Sequence, residues 1–152
     1  MANTQAMCTT FMEEILEAVH NFTTGTGNTF KAALYLASAT YNASTTAYST
    51  TGEVTGTNYS PGGITVTNGT SPLSTNTSAT AGTAYWTPSA SLTYTNVTLT
   101  TAFDAVLIYN SSASNKAVSV HTFGSQTVTA GTFTLTMPSN TTSTALIRLS
   151  TT

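Results

Sequence analysis

"NTFKAALYLASAT" (28–40) is the longest apolar-rich stretch of the chain, and its reading decides the fold. On a helical period Phe30, Ala33, Leu34 and Ala37 share one face. On a two-residue period Phe30, Ala32, Leu34 and Leu36 alternate with Lys31, Ala33, Tyr35 and Ala37. The flanking sequence favours the strand. A helix with its own cap and stop precedes the stretch, and a Thr-rich turn region follows it. As a strand, Phe30, Ala32, Leu34 and Leu36 face the core, and Lys31 and Tyr35 project toward solvent or a neighbouring subunit.

The preceding helix is expected over 11–21. Thr10 and Glu13 read as a capping box. Met12, Ile15, Leu16 and Val19 give it an apolar face, with Glu13, Glu14 and Glu17 near its positive end and His20 near its negative end. Gly25 and Gly27 are expected to stop it. Strand signals then recur at 30–37, 64–67, 84–87, 92–100, 103–110, 116–123, 126–138 and 145–150. "LTYTNVTLT" (92–100) alternates strictly, with Leu92 and Tyr94 on one face and Val97 and Leu99 on the other. "FDAVLIYN" (103–110) is apolar on both faces, as a central strand would be. The polar loop "SSASN" joins it to "KAVSVHTF" in a hairpin, and Gly131 marks a turn or bulge in the strand that follows.

The fold class is therefore mainly β. We expect a single antiparallel β-sandwich or barrel of about eight strands with one N-terminal helix. The whole chain, 1–152, reads as one domain, with an N-terminal arm at 1–10, the helix at 11–21 and the sandwich at 28–150. Two Ser/Thr-rich loops, 40–58 and 70–82, are expected to be exposed, mobile, or ordered only against a neighbouring subunit.

Composition narrows the function. Charged residues make up only 5% of the 152 residues, against about 25% in average soluble domains. The chain has 38 Thr and 17 Ser, so hydroxyls supply the polarity that Lys and Glu usually supply. Three basic residues and a net charge of −2 cannot build a basic patch for nucleic acid or an anionic membrane. So few charges suit a chain packed into an assembly better than a free monomer. The opening "MANTQAMCTT" has neither a basic n-region nor an apolar core, so no secretory signal is expected, and no apolar run is long enough to span a membrane. The eight Asn-X-Ser/Thr matches are accordingly read as unglycosylated.

Few residues could carry chemistry. Glu13, Glu17 and His20 make a partial metal-ligand set on one helix face, more simply read as an exposed charged face. His121 stands alone in a strand. Asp104, in the most apolar strand, could pair with Arg148 or Lys116, and it is the acid that either histidine would need for a catalytic triad. Cys8, just before the helix, could gain some thiolate character. "TTGTGNTF" (23–30) has Asn28 where a phosphate-binding loop needs Lys. Neither enzymatic activity nor a cofactor is expected.

Several segments carry a resemblance when taken together. They are "MANTQAMCTTF" (1–11) with its helix, "NTFKAALYLASAT", "STTAYSTTGEVTGTNYSPGG" (44–63), "FDAVLIYN", and "GTFTLTMP" (131–138) with "ALIRLS" (145–150). Nearly the whole chain resembles small structural proteins of tailed bacteriophages, including phages of cyanobacteria and other aquatic bacteria. The extended "NGTSPLSTNTSATAGTAY" (68–85) departs from that pattern. The resemblance implies a non-enzymatic virion component made in the bacterial host cytoplasm. A capsid cement or decoration protein, a homotrimer clamping the major capsid protein, is the first expectation. A tail or fibre component that contacts tail proteins or a host surface glycan is the second. Candidate interface residues are Met1, Met7, Cys8, Phe11, Lys31, Tyr35, Tyr48 and Tyr59. On the arm reading, removing residues 1–10 would weaken assembly and leave the β fold intact.

Overall fold

The structure, a computed structural model, describes residues 2–75 and 82–151. In chain order its elements are β1 (Ala6–Met7), α1 (Thr9–Leu16), β2 (Phe30–Leu36), β3 (Ile64–Thr65), β4 (Leu73–Ser74), β5 (Thr83–Trp86), β6 (Leu92–Asn110), β7 (Lys116–Leu135) and β8 (Ile147–Ser150). They form two antiparallel sheets, one ordered β1-β7-β6-β2-β3 and the other β4-β5-β8. The fold is mainly β with a short N-terminal helix, and the sheets do not close into a barrel.

The stretch 28–40 forms a strand, as its surroundings indicated. Phe30, Ala32 and Leu34 are buried. "FDAVLIYN" is central: β6 pairs with β2 on one side and β7 on the other, and Val106, Leu107 and Ile108 are completely enclosed. The expected hairpin through 111–115 forms, with Ser114 and Asn115 at positive φ.

The strands expected at 92–100 and 103–110 merge into β6, and those at 116–123 and 126–138 into β7. Bulges let each run on. Between Tyr94↔Phe133 and Val97↔Gly131 the register slips by one residue, with Asn96 at φ 50°. This reverses the side-chain phase of β6. Leu92, Tyr94, Val97 and Leu99, expected on opposite faces, are all buried. A compensating slip in β7, with Ala130 at φ 47°, restores the pairing by Leu99↔Val128.

The helix is shorter than expected and rotated about its axis, with Ile15 of the expected apolar face still packed on the core. It starts after Cys8, whose side chain makes no cap bond, and it ends at Leu16. Thr10 lies inside it rather than capping it. Ala18, at φ 58°, takes the chain out of the helix, while the Val19 amide bonds back to the Glu14 carbonyl. Phe11 and Glu14 are buried, whereas Met12 and Leu16 of the expected apolar face are 48% and 88% exposed.

Aromatic rings join the two sheets. Phe22 stacks on Phe30 of β2 at 4.2 Å and packs against Trp86 of β5 at 4.7 Å. The Trp86 indole N–H donates to Asn68 Oδ1 and the Thr70 carbonyl.

Residues 2–10, expected as an N-terminal arm able to reach a neighbour, are stitched to the rest of their own chain. β1 pairs with β7, and the Cys8 and Thr9 amides donate to the carbonyls of Val118 and Ala43. The Asn3 amide donates to the Leu36 carbonyl (3.0 Å) and to Asp104 Oδ1 (2.6 Å), and its own oxygen accepts from the Tyr41 amide (2.9 Å). Met1 lies outside the described residues. Cys8 and Phe11 belong to the core. We therefore expect Asn3→Ala to destabilise the fold itself by about 1–3 kcal/mol, measured by chemical denaturation of the purified chain. Unchanged stability would restore the arm reading.

Candidate functional site

Three groups of polar side chains stand out, and two of them serve the fold. The first surrounds Glu53, which is 7% exposed. Tyr59 and the Gly62 amide donate to its Oε1 at 2.8 and 2.7 Å, and Tyr48 donates to its Oε2 at 2.7 Å. Among the described residues no cation pairs with it. Hydrogen bonds therefore offset its desolvation. The Tyr59 hydroxyl also accepts from the Leu34 amide, and Tyr109 donates to the Gly62 carbonyl. Burial, then the Glu53 charge, pushes the Tyr109 phenol up to about 12, so it stays protonated as a donor.

This cage explains three sequence readings that change. Tyr35, expected on an outward face, is buried: it stacks on Tyr41 at 3.7 Å and donates to the Ser49 carbonyl. Tyr59 is buried at Glu53, and half-buried Tyr48 stacks on Tyr109 at 4.7 Å. The loop 40–58 is therefore ordered by contacts within its own chain. Of the expected interface residues, half-buried Met7, Lys31 and Tyr48 keep part of their surface accessible. For the second loop, 76–81 lies outside the described residues. Replacing Glu53 with Ala would strand three donors. We expect a loss of about 2–5 kcal/mol and faster amide exchange across 40–63, read by hydrogen–deuterium exchange. Native-like protection would show that the carboxylate is dispensable.

The second group docks α1. Glu14 accepts from Lys116 at one oxygen and meets His20 Nε2 at the other, 2.7 Å away. Asn110 Nδ2 lies 3.0 Å from His20 Nδ1 and 2.9 Å from Asn28 Oδ1, while Asn110 Oδ1 accepts from the Ser112 amide. That orientation makes His20 Nδ1 an acceptor and its Nε2 a donor to Glu14. The metal set of Glu13, Glu17 and His20 does not form. The helix stops before His20, and the imidazole, read from sequence as part of an exposed charged face with Glu13 and Glu17, turns inward to Glu14. Among the described residues no group of three His, Cys, Asp or Glu side chains is placed to hold a metal. Cys8, rather than gaining thiolate character, is pushed up to about 12 by burial and then by the Glu14 charge.

The third group is the candidate site. A groove of about 490 Å³ runs between the outer edges of β1 and β8. Its polar lining is Gln5, Ser119, His121, Arg148 and Ser150, with Met7 and Leu146 among its apolar members. Ser119 Oγ lies 2.9 Å from His121 Nε2, and burial lowers the His121 pKa to about 4, leaving a neutral imidazole. Among the described residues no carboxylate lines the groove. Asp104, the acid a triad would need, is held by Asn3, so neither the triad nor the Asp104–Arg148 pair forms. Arg148 instead donates one N–H to the Ser143 carbonyl and has no acidic partner among the described residues. The sequence showed His121 and Arg148 as isolated residues; only the approach of β8 to β1 brings them together.

No family model, no curated protein and no solved structure matches this chain.

Two acid transitions follow. His121 has a folded pKa below its ordinary 6.5, so the unfolded chain binds that proton first and stability falls between pH 6.5 and about 4. Burial pushes Glu14 up, but Lys116 and His20 outweigh it and hold its carboxyl below the usual 4.5. Its contribution is present above pH 4.5 and is lost as pH falls through the lower folded value. His121→Gln should flatten the first fall and Glu14→Gln the second, in denaturation midpoints measured against pH. Equal pH dependence in all three proteins would refute the assignment.

Proposed function

We propose that this chain is a non-enzymatic structural component of a tailed-phage particle, acting as a cement or decoration subunit that bridges capsid subunits. The observation that carries this reading is the rotation of the helix. α1 turns Glu14 inward and presents Met12 and Leu16, four residues apart on one ridge, to solvent. An exposed apolar ridge of this kind is a surface for a neighbouring subunit to cover. The remaining large exposed apolar residues, Leu73 and Leu149, belong to the three-stranded sheet. Leu149 lines an apolar hollow of about 130 Å³ together with Phe11 and Ile15 of the helix.

The charge pattern supports the same reading. Glu14, Glu53, Asp104 and Lys116 are engaged in holding the subunit together. The surface left to partners is dominated by hydroxyls and scattered apolar side chains. Such a surface associates through shape and packing in symmetric, repeated contacts. The groove beside Arg148 favours the second reading, a tail or fibre component that touches a host surface glycan.

Quantitative mass spectrometry of purified particles from the encoding phage separates the two readings. Cement predicts on the order of hundreds of copies per particle, and a tail component from about three to a few dozen. Absence from the particle would defeat both.

A further inference from the structure

We infer that the groove between β1 and β8 binds a sugar acid, a saccharide carrying one carboxylate beside several hydroxyls. The argument starts from charge. Arg148 is one of three basic residues, and it is exposed in a groove with no acid among its described lining residues. Its guanidinium has five N–H groups and gives one to the Ser143 carbonyl, which leaves donors for the planar, two-point grip that guanidinium makes on carboxylate.

The rest of the lining matches the rest of such a ligand. Gln5 and Ser150 are exposed and offer both donors and acceptors. His121 is neutral, and with Nε2 engaged by Ser119 its Nδ1 has no partner among the described residues. It can meet a sugar hydroxyl without adding charge. Met7 and Leu146 supply apolar contact for the C–H face of a pyranose ring. The groove volume lies in the range usual for small-ligand sites.

The geometry also disfavours two other occupants. A simple inorganic anion would use Arg148 and leave the neutral lining idle. An extended peptide could add to the free edges of β1 and β8, but β1 offers it only two residues, Ala6–Met7. The inference names the ligand class for the glycan contact of the second reading, and its test reads binding while the copy number reads location. A failed copy-number experiment would leave it standing, and its own failure would leave the structural role standing.

The test is a titration of the full chain with glucuronate, followed by NMR, with glucose and acetate as controls. Glucuronate should bind with a Kd of roughly millimolar, tighter than either control by about tenfold or more. The shifts should centre on residues 5–7, 119–121 and 146–150. Arg148→Gln should weaken binding about tenfold or more, and Arg148→Lys, which keeps the charge and loses the fork, should fall between. Arg148 is exposed and outside the core, so both variants should keep the wild-type denaturation midpoint. Acetate binding as well as glucuronate would reduce the groove to an anion site and overturn the inference. So would glucuronate binding that Arg148→Gln leaves unchanged. A Thr-rich peptide that protects the Gln5 and Met7 amides while glucuronate has no effect would overturn it in favour of strand addition.

Discussion

Strand β6 is bound on both edges, and the remaining structure is placed relative to it. Residues 103–110 pair with β2 on one side and β7 on the other, with Leu107 facing both Ala33 and Val120. A strand paired on two sides has no free backbone groups, so it can be fully enclosed, and apolar side chains on both faces become an advantage. Enclosure of both faces then requires covers. The aromatic cluster of Phe22, Phe30 and Trp86 brings up the second sheet. The Tyr-rich loop 40–63 folds over Tyr35, and the hairpin end at Asn110–Lys116 receives the helix through Glu14 and His20.

Charge poverty sets how these covers are held. With eight charged residues in the chain, ion pairs cannot do most of the work. Tyrosine and asparagine take their place, because each pairs a packing surface or a compact amide with donors that reach backbone carbonyls. Tyr94 donates to the Ala32 carbonyl, Tyr35 to Ser49, and Asn3 to Leu36. Glu53 is the most demanding case, a buried anion held by neutral donors alone. The same economy leaves Arg148 without an acidic partner among the described residues, and that is what makes the groove between the sheet edges chemically distinctive.

Much of the fold was legible because it rests on local periodicity. The strand at 30–36, the central strand at 103–110 and the hairpin through "SSASN" all follow from alternation and turn chemistry. The errors share one cause, which is that burial was inferred from the residue's own character. Tyr35, Tyr59 and Cys8 were assigned to a possible interface, yet neighbours far along the chain enclose them. The slip at Asn96 gave the same kind of error: strict alternation in "LTYTNVTLT" was real in sequence, but a positive φ at one residue put both apolar sets on the core side. The candidate groove was the least legible, since its lining comes from 5–7, 119–121 and 146–150, and no short motif links them.

By itself the sequence determined a β-rich chain with a short helix, one central apolar strand and only eight charged residues. These follow from composition and from spacing within a few residues, which every conformation of the chain shares. The tertiary structure alone decided which face of the helix is buried, where the Glu53 carboxylate finds its donors, and that Arg148 lines one groove with Ser119 and His121. Those outcomes depend on hydrogen bonds and ring contacts between residues tens of positions apart. Only the completed pairing of the strands brings such residues within a few ångströms of one another.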